Sequence, residues 1–286
     1  MIKIKEPIFI IGASRSGTTF MHRILSGHPD IGTIKSPNIK RKYRSILDEI
    51  FNFSPYIKEC FGKIFNVKII PIEGKNIWTF RYFDDSDVLT EKDSSFLRDY
   101  IVKKIMLNYL EYYNKKRFLA KEPSLSFKIR YISKLFPDAF FVHIHRDGRA
   151  VVNSAKKMWE RGRLYSKWWG TKPDNWREIK EINNLTLICA NQWVETIDYI
   201  NKNKSILKKR IIEIKYEELV NNFEATTMKI LDFLNLDCSN EYNSYLKKLV
   251  PKNMNWKWKK DLKENEIKLL DDFKEFNRVM SLLGYK

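Results

Sequence analysis

Two short stretches of this 286-residue chain carry side chains suited to holding anions. The first is Gly12-Ala-Ser-Arg-Ser-Gly17-Thr18-Thr19, which follows the apolar run PIFIIG at 7–12. Its glycines let the backbone approach a ligand, and N–H groups at the start of a following helix face an anion with a favourable dipole. Arg15, Ser16, Gly17, Thr18 and Thr19 are therefore candidate phosphate ligands. The second stretch is HIHRDGRAVVNS at 143–154. Arg146 can leave the carboxyl end of a strand, and Ser154 then sits two turns into the next helix, facing back. Both would converge at a point beside the sheet edge. A guanidinium is well shaped for a phosphate there. Asp147 and Arg149 are expected to hold the turn and each other.

The placement of charge in the first loop narrows the chemistry. A triphosphate loop of the form GxxxxGK[ST] needs Lys at position 18, and Thr18 stands there. The loop's cation is Arg15, which moves the charge toward the first phosphate and the group attached to it. An atypical P-loop kinase is the main enzyme alternative. The missing Lys, and the lack of a clear Asp-bearing strand end for magnesium, count against it.

The elements that must position these residues alternate along the chain. Apolar runs at 7–12 and 140–145 read as buried strands, 118–121 as a short strand and RIIEIK at 210–215 as a further strand. Helical spacing predicts helices over Thr18–Ser26, Ser94–Lys116 (with Leu97, Ile101, Ile105 and Tyr112 on one face), 148–159, 184–203, 223–234 and 263–283. Ser124 is expected to cap a helix carrying Leu125, Ile129, Ile132 and Phe136. A short helix is expected near 40–52 within an otherwise irregular, acceptor-side segment at 31–90. Strand–helix alternation predicts an α/β, P-loop-type three-layer fold, a central mostly parallel sheet flanked by helices. No repeat or low-complexity linker divides residues 1–286, so one domain is the simplest count.

The bulk properties set outer limits. Fifty-three basic against 35 acidic residues give a net charge of +18, which suits an anionic ligand or partner. No RNP, KH or zinc pattern supports nucleic acid as that partner. Cys60, Cys189 and Cys238 are far apart, and the four histidines lack ligand spacing, so neither a disulfide framework nor a metal is expected. No apolar run approaches the ~18 residues of a membrane span. The chain enters its first strand almost at once, without room for a signal peptide, so a cytoplasmic location is expected.

GxxRSGTT resembles the 5′-phosphosulfate loop of the sulfotransferases that use 3′-phosphoadenosine 5′-phosphosulfate (PAPS), especially their bacterial members and the tyrosylprotein sulfotransferases. Arg146 and Ser154, with the required spacing of eight, resemble that family's 3′-phosphate site. KEPS at 121–124 sits where the family carries a Lys facing the sulfuryl group. KYEELVNNFEATTMKILDFLNL at 215–236 is similar to a segment that brings a Tyr, here Tyr216, near the nucleotide. The resemblance implies sulfuryl transfer from PAPS to a hydroxyl or amine of a carbohydrate, lipid, small molecule or peptide, with release of adenosine 3′,5′-bisphosphate. In this reading Arg15 binds the 5′-phosphate and the bridging oxygen, and Lys121 stabilises the transferring group and the leaving phosphate.

The resemblance also exposes a gap. Ser36 and Pro123 occupy positions where family branches carry the base. Glu122 is the first substitute and His22 the second, with Glu73 and the Asp84–Asp85 pair also in range. An acceptor of low pKa would need no protein base. Phe20 is a candidate platform for adenine, and Lys252 a further charge at the 3′-phosphate. Trp168, Trp169, Arg161 and Arg163 are candidates for the acceptor cleft. The missing base keeps a second alternative in play, a catalytically impaired nucleotide-binding relative.

Overall fold

The computed structural model describes residues 4–38, 54–72, 75–78, 86–162, 168 and 170–285. Its main sheet has five strands in the order β2-β5-β1-β6-β7. They are β1 (Ile8–Ile11), β2 (Ile31–Gly32), β5 (Arg117–Lys121), β6 (Phe140–His145) and β7 (Ile211–Lys215). Every pairing in it is parallel, and Ile10 lies opposite both Lys121 and Val142. A small antiparallel ladder joins β3 (Lys35–Pro37) to β4 (Ile69–Pro71).

β1, β5 and β6 are buried on both faces, as a covered parallel sheet requires, whereas the edge strand β7 buries only Ile214 fully and leaves Glu213 exposed. Phe9, Ile11, Phe118, Ala120 and Phe141 pack on one side, with Met106, Tyr109 and Ile132. Ile8, Ile10, Leu119, Val142 and Ile144 pack on the other, with Met21, Leu25 and Leu231. Alternating residues of each strand thus feed separate helical layers, and the expected three-layer arrangement is present.

The helices that matter for the site are α1 (Thr18–Ser26), α2 (Pro55–Ile64), α3 (Phe96–Tyr112), α4 (Ile129–Leu135), α5 (Gly148–Gly162), α6 (Leu185–Leu207), α7 (Tyr216–Asn221), α8 (Phe223–Phe233), α9 (Glu264–Asp272) and α10 (Lys274–Leu282). Several differ from expectation for identifiable reasons. Helix α3 buries Val102, Ile105, Met106, Tyr109 and Leu110, whereas Leu97 and Tyr112 are exposed. The true stripe follows the 3, 4, 7, 8 spacing starting at residue 102. Ser124 does not cap α4. It lies inside a 3-10 turn, Pro123–Phe127, whose cap is the Glu122 carboxylate accepting from the Ser124 N–H at 2.8 Å. The expected 263–283 helix is broken at Phe273, and Asn277 Nδ2 donates to the carbonyls of Leu270, Asp271 and Phe273 around the break. The 31–90 segment is more regular than expected, holding β2, β3, β4 and α2. The predicted 40–52 helix lies outside the described residues.

Candidate functional site

Because the five strands run the same way, their carboxyl ends share one edge, and that edge collects the residues of the two anion-holding stretches together with Lys121, Glu122 and Tyr216. Gly12 follows β1, Glu122 follows β5, Arg146 follows β6 and Tyr216 follows β7.

The loop after β1 makes a tight turn into α1. Gly12 has φ 145°, and a Cβ there would stand 2.2 Å from the Ile144 carbonyl oxygen. Gly17 has φ 101°, and its Cβ would meet the Tyr216 ring at 2.4 Å. Both glycines therefore answer to a left-handed backbone and to close packing. Ser126, which sequence reasoning missed, anchors the loop from the neighbouring strand's exit. Its Oγ accepts from the Gly12 N–H at 2.9 Å and donates to the Gly12 carbonyl at 3.1 Å. Arg15 also adopts a left-handed φ of 74°, a strained state for a residue with a Cβ. The adjacent Ser16 is fully buried, and its hydroxyl has no hydrogen-bond partner among the described residues. A buried orphan hydroxyl inside an N–H-lined turn is what an anion ligand would complete.

Arg15 and the β6 exit meet. Arg15 Nε donates to Ser154 Oγ at 2.9 Å, and Arg146 Nη1 donates to the Arg15 carbonyl at 3.4 Å. The Arg146 guanidinium lies 4.5 Å from the centre of the Tyr216 ring. Burial pushes the Arg146 pKa down, against the opposing pull of Tyr216, Glu217 and Asp147. Asp147 accepts from the Arg149 backbone N–H at 2.9 Å and pairs with its side chain at 3.1 and 2.8 Å, as expected of the turn.

A second cluster forms on the α1 side. Lys121, only 2% exposed, donates from Nζ to Thr19 Oγ1 at 3.0 Å. His22, one turn along α1, is buried with Nε2 3.1 Å from Thr33 Oγ1. Burial, reinforced by Lys121, pushes the imidazole down to about 3, so the ring is neutral. Glu122 is also buried, and its Oε2 accepts from both the N–H and the hydroxyl of Ser124. Lys128 Nζ then donates to Ser124 Oγ at 2.8 Å. This cluster sets Lys121 and His22 beside the start of α1, with Glu122 at the β5 exit.

Other expected residues have contacts within the described structure. Phe20 packs against Phe223, ring centres 5.8 Å apart. Lys252 is exposed, and its backbone carbonyl accepts from Tyr216 Oη at 2.8 Å. Trp168 is wedged between Trp159 and Trp176, with ring centres 5.5 and 5.4 Å away. Among the described residues it packs in a small aromatic cluster with them. Trp169, Arg163, Glu73 and the Asp84–Asp85 pair lie outside the described residues, as does the Arg161 side chain. Ser36 is buried on β3. Asn255, Glu217 and Tyr285 also reach the β6 exit, and sequence reasoning assigned none of them a role. Among the described residues, no group of three or more His, Cys, Asp or Glu side chains is placed to hold a metal ion. No helix of the described residues is long and apolar enough to cross a membrane.

A family model described as "Sulfotransferase family" matches residues 7–240. Protein-tyrosine sulfotransferase A of Caenorhabditis elegans is 24% identical over 232 residues, covering 80% of this chain and 50% of that protein. Protein-tyrosine sulfotransferase 1 of Danio rerio is 26% identical over 232 residues, covering 80% and 53%. The chain thus spans about half the length of these curated relatives. Among solved structures, sulfotransferase STF9 from Mycobacterium avium superposes with a TM-score of 0.59 at 14% identity, covering 99% of this chain and 78% of that one.

Proposed function

Because this chain belongs to the sulfotransferase family, we propose that it transfers a sulfuryl group from PAPS to an acceptor hydroxyl or amine, releasing adenosine 3′,5′-bisphosphate. The observation that carries the proposal is the convergence of Arg15, Ser154 and Arg146 beside a loop that holds an orphan hydroxyl at Ser16. A nucleotide with phosphates at both ends needs two cationic anchors, one at each end. The Ser16–Thr19 turn and Arg15 supply one, and Arg146 with Ser154 supplies the other. Tyr216 backs both, since its ring packs on Gly17 and under Arg146.

When bound, PAPS supplies the activated sulfuryl group. The chain's own residues then have three tasks, which parallel those of phosphoryl transfer. Arg15 neutralises charge building on the 5′-phosphate. Lys121, held by Thr19 in a water-poor site, stabilises the transferring group and the leaving phosphate. A proton acceptor takes the acceptor's proton. Glu122 is the better candidate for that task. Its Oε2 is bound by Ser124 and it adjoins Lys121 in the chain, whereas His22 with a pKa near 3 is a weak base. The curated relatives are named as protein-tyrosine sulfotransferases, so a peptide tyrosine is the first acceptor to try. Sugars, lipids and small phenols come next.

A second reading, a nucleotide-binding relative with impaired catalysis, is favoured by one observation: both base candidates are already engaged, Glu122 by Ser124 and His22 by Thr33. Incubation with sulfur-labelled PAPS and a panel of peptide, sugar, lipid and phenol acceptors separates the two readings. Label transfer to any of them supports the enzyme. Tight nucleotide binding with no transfer to any of them supports the impaired relative.

A further inference from the structure

Arg146 is held from behind by a chain of hydrogen bonds that reaches the last described residue. Its Nε donates to Asn255 Oδ1 at 2.5 Å. Asn255 Nδ2 donates to Glu217 Oε1, which also accepts from the Asp147 backbone N–H at 3.1 Å. The other Glu217 oxygen accepts from Tyr285 Oη at 2.8 Å. Tyr285 Oη lies 3.2 Å from His145 Nδ1.

The protonation states fix the direction of every link. Burial, with His143 adding to it, pushes His145 down to about 3, so its ring is neutral. Burial and the Glu217 carboxylate push the Tyr285 phenol up, so it keeps its proton. Tyr285 therefore donates to Glu217 and accepts from His145 Nδ1–H. Asn255 can then orient only one way, amide nitrogen to the carboxylate and oxygen to Arg146. The amide is a neutral spacer. It binds Arg146 Nε without putting a carboxylate directly on the guanidinium, so the positive charge remains available to an anion. Glu217 contributes its charge one side chain further away.

Resting on the function proposed above, we infer that Asn255, Glu217 and Tyr285 are positioning residues that set the rotamer and charge of Arg146 for a nucleotide 3′-phosphate. A guanidinium on a buried, fully hydrogen-bonded support loses little side-chain freedom when it binds. The family match ends at residue 240, so two of the three positioners, Asn255 and Tyr285, come from beyond the matched region. The sequence past that point would then take part in ligand recognition as well as in covering the core.

The test is the affinity ratio between adenosine 3′,5′-bisphosphate and adenosine 5′-phosphate, measured by calorimetry on wild type, Asn255→Ala and Tyr285→Phe. The phenylalanine variant removes one oxygen and keeps the ring, so the fold has little reason to change. A purely structural role would lower the unfolding midpoint and leave the ratio intact. The inference predicts that the ratio falls roughly tenfold in Asn255→Ala and about threefold in Tyr285→Phe, with 5′-phosphate affinity unchanged. A wild-type preference for the bisphosphate that both variants retain in full overturns the positioning role alone. No wild-type preference at all contradicts the 3′-phosphate reading of Arg146, and this inference with it.

Discussion

Lys121 Nζ and Thr19 Oγ1 are 3.0 Å apart, joining the end of β5 to the first turn of α1 across 102 residues of sequence. The contact sets Lys121 against the rim of the loop after β1. It gives Lys121 a fixed direction before any ligand arrives. Preorganised charge of this kind is what lowers a barrier where charge develops.

Replacing Lys121 by Met, a side chain of similar length, should therefore cut kcat for sulfuryl transfer by about 10²–10³-fold. The bisphosphate should bind within a fewfold of wild type, because Arg15 and Arg146 remain. Single-turnover rates and calorimetry on the same variant check this. Equal losses in kcat and in nucleotide affinity would assign Lys121 to ground-state binding instead.

Arg15 carries a positive φ of 74° at the centre of the loop. Arg15→Gly relieves that backbone while deleting the charge. Thermal unfolding should show unchanged or slightly raised stability, by up to about 1 kcal/mol, together with a loss of transfer activity of ~10²-fold or more. Stability and activity falling together would mean that the guanidinium, through Ser154, supports the fold more than the ligand.

Acid should destabilise the protein in a window set by two histidines. His22 and His145 are each pushed down to about 3 in the folded protein from an ordinary 6.5, chiefly by burial. Between those values the unfolded chain binds protons that the folded chain refuses, so stability is intact above pH 6.5 and declines as pH falls. Near pH 5, unfolding should take up about two protons from this pair. His22→Asn should remove about half of that slope. Denaturation midpoints recorded from pH 7.5 to 5 check the sign, and a flat profile would contradict the burial of both rings.

Glu122 has a structural duty as a cap and a proposed duty as a base, and two variants separate them. Ser124→Ala removes the hydroxyl held by Glu122 but leaves the carboxylate, so transfer should persist within about tenfold. Glu122→Gln keeps a capping oxygen but is a far weaker base, so transfer should fall by about 10²–10⁴-fold. Full activity in Glu122→Gln removes the residue from the role.

Much of this arrangement was legible in sequence because it is local or periodic. The buried strands are continuous apolar runs, and the loop from Gly12 to Thr19 is a single turn between a strand and a helix. Arg146 and Ser154 are separated by two helical turns, so spacing alone brings them to one side of the sheet edge. The unreadable parts depend on long-range pairing. Ser126 clamps Gly12 across 114 residues, and Asn255 meets Arg146 across 109. No periodicity encodes such contacts. The buried stripe of α3 was misplaced because Leu97 and Tyr112 are apolar yet exposed, and apolar surface is common on folded proteins. The break at Phe273 depends on Asn277 reaching back to three carbonyls, which residue type alone does not announce.

The most direct test of the account is a calorimetric titration of adenosine 3′,5′-bisphosphate, set beside ATP with magnesium, into wild type and Arg146→Ala. Two opposed anchors predict micromolar or tighter binding of the bisphosphate, weak binding of ATP, and a loss of about 100-fold or more when Arg146 is removed. Tighter binding of magnesium–ATP, or a bisphosphate affinity indifferent to Arg146, would contradict it.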